Sequence, residues 1–125
     1  MSDAPRAVVA GHATFAQGLI AAVDQITGLG HQFVPVSNTG LAPAAIDAAI
    51  REALAASGAT VVFTDLPAGS CTMTVRRMTK LEPGITLVTG VTLPTLLAFA
   101  MGASVEEAVA KGREALAALE PPRGA

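Results

Sequence analysis

The sequence is poor in the residue types on which several classes of protein depend. It has no tryptophan or tyrosine and only four phenylalanines, so the aromatic platforms that stack nucleic-acid bases are not expected. Its single cysteine, Cys71, excludes an internal disulfide framework and leaves no cysteine set for zinc. Charged residues make up only 14%, and the net charge is -2. The densest positive group, Arg76, Arg77 and Lys80, is interpreted as a solvated helix face, so no nucleic-acid partner is expected.

Length and hydropathy indicate a globular chain. Its 125 residues are the usual size of one domain, and 51% of them are hydrophobic, enough for a substantial core. We expect a single domain over residues 1–125, with residues 1–5 and 120–125 frayed. Residues 83–105 carry no charge, but four threonines, three glycines and Pro94 interrupt them, which favours strand, turn and helix over a membrane span. No hydrophobic signal core follows the N-terminal charges, so a cytoplasmic location is expected.

Short apolar runs alternate with helical patterns along the chain. The predicted strands are apolar or β-branched runs bounded by turn residues, at residues 7–10, 31–36, 60–64 and 85–88. A helical pattern follows each strand, the third at residues 71–81, and a fifth helix begins at the capping-box pair Ser104 and Glu107. This order predicts an α/β fold, an open parallel sheet of four strands with helices on both faces.

A proline in the second strand indicates its place in the sheet. Pro35 cannot donate a ladder hydrogen bond, so strand two belongs at an edge. The natural strand order is then 2-1-3-4, which puts the switch point of the sheet between strands one and three. These two strands run into His12 and Asp65. Because ligands bind at the carboxyl ends of strands beside such a point, the order makes the two side chains neighbours.

Polar features converge on this predicted crevice. His12 can attack as a nucleophile, transfer a proton or bind a metal, and Asp65 can hold one ring nitrogen while the other stays free. Gly69 and Ser70, at the start of helix three, offer backbone N–H groups and a hydroxyl to an anion. Together they favour phosphoryl transfer through a phosphohistidine. Thr14 either caps helix one or contacts the phosphate, and we favour the cap.

Other chemistries fit the same crevice less well. A receiver domain of this strand order needs an acidic cluster after strand one, and a mutase-type histidine phosphatase needs arginine before its histidine; here Gly11 precedes His12. A P-loop with its lysine is absent. His12, His31, Cys71 and the few carboxylates show no ligand spacing, so no metal or other cofactor is expected. His31 is interpreted as a surface residue at the start of strand two.

Three segments resemble the enzyme IIA component of the mannose-type bacterial phosphotransferase system. They are residues 9–19 (VAGHATFAQGL), 64–70 (TDLPAGS) and 89–97 (TGVTLPTLL), in the family's order and spacing over nearly the whole chain. The resemblance implies a phosphotransferase component in which phospho-HPr donates its phosphoryl group to His12 at Nε2. An enzyme IIB component of a sugar permease then accepts it. The resemblance further implies that Asp65 orients His12 and that Ser70 belongs to the phosphate loop.

The chain also departs from the family pattern. Mannose-specific members have an aromatic residue and a second glycine in the middle loop, where this chain has LPA at residues 66–68, and Cys71 stands where proline is common. The transported sugar therefore stays open. Some relatives exchange a C-terminal strand across a dimer, but no strand pattern follows Leu119. The resemblance implies a homodimer without strand exchange, which meets its permease at the membrane without inserting into it.

Two further functions need the same histidine and remain open. The first is a regulatory phosphohistidine protein that takes phosphate from HPr and signals by binding a partner, without a dedicated permease. The second is the phosphotransfer subunit of a dihydroxyacetone kinase, which has a related fold. Neighbouring genes for IIB, IIC and IID components would favour the transport function.

Helical spacing predicts which side chains pack. The predicted core-facing side chains in helices one, two and five are Phe15, Leu19, Val23, Ile26; Ile46, Ile50, Leu54; and Val105, Val109, Leu116. Ser70 is predicted to cap helix three. Cys71, Met73 and Met78 are expected to pack, and the prolines at 121 and 122 to stop helix five.

Overall fold

Strands and helices alternate along residues 4–122 and 124, the part of the chain that this computed structural model describes. The predicted fraying of residues 1–3, 123 and 125 lies outside the described residues. The elements are β1 (Ala7–Gly11), α1 (Phe15–Thr27), β2 (Phe33–Ser37), α2 (Pro43–Ser57), β3 (Val61–Thr64), α3 (Ser70–Leu81), β4 (Thr86–Val88), α4 (Leu93–Ala100) and α5 (Val105–Ala115). A 3-10 turn at Gly30–Gln32 precedes β2 and contains His31, which therefore does not begin the strand.

The four strands form one parallel sheet in the order β2-β1-β3-β4, which confirms the predicted fold class. Pro35 lies in β2 at one edge, where a residue without an N–H is tolerated. The three-residue β4 forms the other edge. Every residue of β1 and β3 is buried, as expected for strands that are covered on both faces.

Two apolar clusters cover the two faces of the sheet. Successive residues of a strand point to opposite faces, so Val8 packs with α2 and α3 while Val9 packs with α1, α4 and α5. The cluster that contains Val9 also contains three phenylalanines in mutual contact, with ring centroids 5.2–6.5 Å apart: Phe33, Phe63 and Phe99. Helices therefore cover both faces of the sheet, and they hold in place the edge at which the carboxyl ends of the strands lie.

The buried face of α1 differs from the predicted one. Ile26 is 60% exposed, and Phe15 lies at the surface beside the end of β1. The residues that face the sheet are Ala16 and Val23, with Leu19 partly buried. The prediction is thus confirmed for Val23 and in part for Leu19, and it is wrong for Phe15 and Ile26, because the buried stripe begins at Ala16 instead of Phe15.

Helix α5 also packs through small residues. It ends at Ala115, so the prolines at 121 and 122 do not stop it, and Leu116 lies beyond the helix and is 84% exposed. Its buried residues are Ala108 and Gly112. A Cβ at Gly112 would lie 2.0 Å from Thr95 Oγ1 of α4, so the close approach of the two helices requires glycine here. The pattern of branched side chains could not reveal this face.

Three other local predictions need correction. Ser70 is the first residue of α3 rather than its N-cap, which is Gly69. Thr14 occupies the N-cap position of α1 but makes no capping hydrogen bond. Met73 is exposed, whereas Cys71 and Met78 are buried as expected. The capping box of Ser104 and Glu107 forms, and the backbone N–H of Ser104 lowers the pKa of Glu107.

Candidate functional site

The carboxyl ends of β1 and β3 bring His12 and Asp65 together. Asp65 Oδ2 lies 2.7 Å from His12 Nδ1 and accepts a second hydrogen bond, at 2.9 Å, from the backbone N–H of His12. An ionised carboxylate can only accept hydrogen bonds, so Nδ1 carries the proton in this arrangement. The parallel pairing of the two strands therefore selects one tautomer of His12.

The two side chains differ sharply in exposure. The His12 side chain is 50% exposed, whereas that of Asp65 is 9% exposed. Among the described residues, His12 Nε2 takes part in no hydrogen bond. In the neutral imidazole this tautomer leaves the lone pair on Nε2, while Asp65 holds Nδ1, which is the arrangement a nucleophilic histidine requires.

The environment of Asp65 favours its ionised form. Burial raises the pKa of Asp65, but the hydrogen bonds from the side chain and backbone of His12 outweigh that effect, and the pKa lies below its ordinary value. Asp65 Oδ1 is buried and has no hydrogen-bond partner within the described part of the chain. A single carboxylate oxygen therefore makes both contacts with His12.

The turn after β1 is shaped for this contact. A Cβ at Gly11 would lie 3.0 Å from Asp65 Oδ2 and from Phe15 Cδ2, so the residue before His12 must be small. Ala13 has a φ of 49°, in the left-handed region that residues with a Cβ seldom adopt. Strain of this kind persists where the surroundings fix the backbone, and here it accompanies the turn that presents His12.

The loop between β3 and α3 covers one side of the imidazole. A Cβ at Gly69 would lie 3.2 Å from His12 Cε1, which places the start of α3 directly beside the ring. The first N–H groups of a helix have no partner within the helix, and its N-terminus favours negative charge. Gly69 and Ser70 therefore lie where an anion on His12 would meet the positive end of α3.

Ser70 has a partner that the sequence does not single out. Asn38 Nδ2 donates a hydrogen bond of 2.8 Å to Ser70 Oγ, so this contact uses a lone pair of the Ser70 hydroxyl and not its proton. Asn38 itself is fixed, because its backbone N–H donates to the carbonyl of Gly11. The predicted strand order could have indicated Asn38. This residue follows β2, and β2 lies parallel to β1, so the two strands end at the same edge of the sheet.

Thr14 lies apart from this cluster. It is exposed, and no hydrogen bond among the described residues joins its side chain to His12, Asp65 or Ser70. Within residues 4–122 and 124, no three side chains of metal-ligating type converge. None of the helices described there has the length and hydropathy needed to cross a membrane.

The fold is that of the IIA components of bacterial phosphotransferase systems. The mannose/sorbose-specific IIA subunit of the phosphotransferase system from Enterococcus faecalis matches with a TM-score of 0.79 at 18% identity, over 96% of this chain and 98% of that one. The IIA protein associated with the fucose utilization operon from Streptococcus pneumoniae matches with a TM-score of 0.79 at 21% identity, over 94% and 96%. At these identities the likeness establishes the fold alone.

The sequence itself defines the family. Residues 6–116 match the family model described as the phosphotransferase system fructose IIA component, EIIA-man. Because the match covers most of the chain, the protein belongs to this mannose-type family of IIA components, and the resemblance of its three segments is confirmed. A comparison with curated protein sequences gives no significant match.

Proposed function

We propose that this protein is a phosphocarrier that accepts a phosphoryl group from phospho-HPr on His12 Nε2 and passes it to an enzyme IIB component. The observation that carries the proposal is the pairing of His12 Nδ1 with the buried Asp65 at 2.7 Å, while the imidazole remains half exposed. Membership of the IIA family supports a phosphotransferase component, and sugar uptake and phosphorylation are the process it would serve.

The transfer step uses the tautomer that Asp65 selects. The lone pair of Nε2 attacks phosphorus as the phosphorus–nitrogen bond of the donor phosphohistidine breaks, and the donor imidazole leaves with that electron pair. Each ring keeps the proton on its other nitrogen, so no proton has to move. Positive charge develops on the His12 ring, and the carboxylate of Asp65 stabilises it.

The phosphoryl group would be held by the start of α3. Gly69 and Ser70 supply backbone N–H groups, and the hydroxyl of Ser70, whose proton the contact with Asn38 does not use, is a further donor. Thr14 stays a predicted phosphate contact, because its hydroxyl caps nothing and lies two residues from His12.

Donor and acceptor would use the same surface in turn. Nε2 must come within bonding distance of each partner's reactive atom, so both must cover the ring of residues around His12. Four large apolar side chains are exposed around it, each close in the chain or in space to a site residue: Phe15, Leu41, Leu66 and Met73. We name this set the apolar collar, and it suits a protein partner better than a free sugar phosphate.

A homodimer is part of the proposal. Four further large apolar side chains are more than 70% exposed in the single chain: Leu81, Met101, Leu116 and Leu119. Their exposure favours a contact between subunits, and a two-fold dimer is the commonest closed assembly. Light scattering should give the dimer mass; the monomer mass at every workable concentration would exclude this assembly.

The test is phosphorylation in a reconstituted system. The protein is incubated with enzyme I, HPr and labelled phosphoenolpyruvate, and we expect an acid-labile, base-stable phosphoprotein. His12→Ala should abolish labelling, whereas His31→Ala, which changes the only other histidine, should not. Onward transfer of the label to a IIB component would distinguish a transport function from a purely regulatory one. Labelling that survives in His12→Ala and is lost in His31→Ala would overturn the assignment.

A further inference from the structure

Two fully buried threonines lie beneath the loop that carries Asp65. Thr64 is the last residue of β3, and Thr72 lies in the first turn of α3. Their hydroxyl oxygens are 2.6 Å apart, and the Thr72 hydroxyl donates to the carbonyl oxygen of Leu66. Since a carbonyl can only accept, Thr72 uses its one proton there, and Thr64 must donate to Thr72. Both hydroxyl protons are therefore donated, in a chain of hydrogen bonds that runs from Thr64 to Thr72 to the carbonyl of Leu66.

This chain of hydrogen bonds spans Asp65. Thr64 precedes it, and Leu66 follows it, so the two threonine hydroxyls link the backbone on one side of Asp65 to the backbone on the other. The carbonyl of Thr64 also accepts a 2.9 Å hydrogen bond from the N–H of Val91, which fixes the first side independently. The Thr72 hydroxyl is the contact that fixes the second side.

The position of Asp65 is critical because its carboxylate has little else to hold it. Oδ2 makes both contacts with His12, and buried Oδ1 has no hydrogen-bond partner among the described residues. If the backbone at Leu66 rotated, both contacts of Oδ2 with His12 would lengthen together, because one oxygen makes them both. His12 could then adopt either tautomer.

We propose that Thr72, supported by Thr64, is a positioning residue for His12. Its hydroxyl holds the turn at Leu66 so that Asp65 Oδ2 keeps the proton on Nδ1 and leaves Nε2 for the phosphoryl group. The inference rests on the proposed function of His12, but its geometric part is measurable in the unphosphorylated protein.

Three substitutions in α3 distinguish the effect of the Thr72 hydroxyl from the effect of changing a buried side chain. Thr72→Val keeps the shape and removes the hydroxyl, whereas Thr72→Ser keeps the hydroxyl. Thr74→Val is the matched control, because Thr74 is also buried in α3 but its hydroxyl contacts Arg77 rather than the loop. All three are measured as full-length proteins, with circular dichroism to establish folding.

The first measurement is the pair of His12 ring-nitrogen signals in long-range proton–nitrogen NMR. In the parent protein we expect one nitrogen with and one without a proton. In Thr72→Val the two signals should move toward each other as the tautomers mix, while Thr72→Ser and Thr74→Val keep the parent pattern. The second measurement is phosphorylation by phospho-HPr, which should slow on the order of tenfold in Thr72→Val alone, the usual scale for a group that acts through another.

A folded Thr72→Val protein with the parent nitrogen signals and the parent rate would overturn the proposal, even if its melting temperature were lower. If Thr72→Val does not fold, Thr72→Ala decides in its place, since it removes the same hydroxyl and leaves a smaller side chain. Unchanged nitrogen signals in a folded Thr72→Ala protein would also overturn the proposal. If the parent is not phosphorylated at all, the proposed function fails, while the nitrogen signals still decide the positioning role.

Discussion

At the scale of single residues, the pair of His12 and Asp65 shows what strand order can and cannot predict. Parallel strands one and three were enough to make the two side chains neighbours, and the structure places them at 2.7 Å. The burial of Asp65 was not predictable, because a carboxylate after a strand is expected at a solvent-facing rim. The loop at residues 66–69 covers it, and the hydroxyls beneath that loop belong to threonines that sequence patterns assign to the core.

The first prediction concerns Asp65→Asn. The amide keeps the shape but can present an N–H to Nδ1, which disfavours the reactive tautomer. Phosphoryl exchange with HPr should slow by about tenfold or more in both directions, equal to about 1.4 kcal/mol in the barrier. Because the side chain is mostly buried, unfolding should also become easier, by about 1–3 kcal/mol.

Asp47→Asn is the control for that variant, since Asp47 is a surface carboxylate paired with Arg51 away from the site. It should change neither the exchange rate nor the unfolding free energy by a comparable amount. A folded Asp65→Asn protein that exchanges phosphate at the parent rate would show that Asp65 only stabilises the loop after β3 and does not orient His12.

The second prediction follows from the lowered pKa of Asp65. The folded protein binds a proton at this carboxylate less tightly than the unfolded chain does, so the ionised group stabilises the fold. That contribution is fully present above the ordinary carboxyl pKa of about 4 and is lost as the pH falls through the lower folded value. Denaturant unfolding at a series of pH values should show the gap between the parent and Asp65→Asn closing below about pH 4. A gap independent of pH would contradict the assignment.

At the scale of elements, the order of the strands was predictable from the sequence, but the buried faces of two helices were not. Pro35 was sufficient to assign an edge and, with it, the sheet order. The faces of α1 and α5 were misassigned in part, because Ala16 of α1 and Ala108 and Gly112 of α5 are buried at positions that the spacing of larger side chains does not reveal. Close packing favours small residues where two backbones approach, as at Gly112.

The third prediction tests the seat of α5. Gly112→Ala puts a Cβ 2.0 Å from Thr95 Oγ1, so the Thr95 side chain or the helices must shift, and we expect a loss of about 1–3 kcal/mol in urea unfolding. Gly18→Ala is the matched control in α1, because nothing lies within 4 Å of its added Cβ. It should stabilise the protein by up to about 1 kcal/mol, through helix propensity. Equal effects of the two substitutions would show that α5 packs only loosely against α4.

At the scale of the whole molecule, exposed apolar side chains occur both beside the proposed site and away from it. The chain carries little charge, and the four residues of the apolar collar lie beside residues of the site, whose Asp65 carboxylate is buried. A partner that docks on such a surface gains affinity by covering apolar side chains, and ionic strength should affect it little.

The fourth prediction separates docking from chemistry. Met73→Ser, in the collar, should lower kcat/KM for phospho-HPr by about fivefold, the scale of an interface residue that contributes about 1 kcal/mol. Phosphorylation by the small donor phosphoramidate should not change. Ile26→Ser, near the C-terminal end of α1 and outside both the collar and the proposed dimer contact, serves as the control and should affect neither rate. A variant impaired equally with both donors would place Met73 in the chemistry rather than in docking.

The two edges of the sheet bear on how this chain behaves at high concentration. A row of unpaired backbone groups at a sheet edge is a template on which further strands can add, and valine-rich strands promote that addition. One edge here contains a proline, and the other is a strand of three residues, Thr86–Val88. The two strands that are buried at every residue, β1 and β3, lie inside the sheet and are exposed only if the chain unfolds. Resistance to fibril formation is therefore built into the order of the strands, and it lasts as long as the fold does.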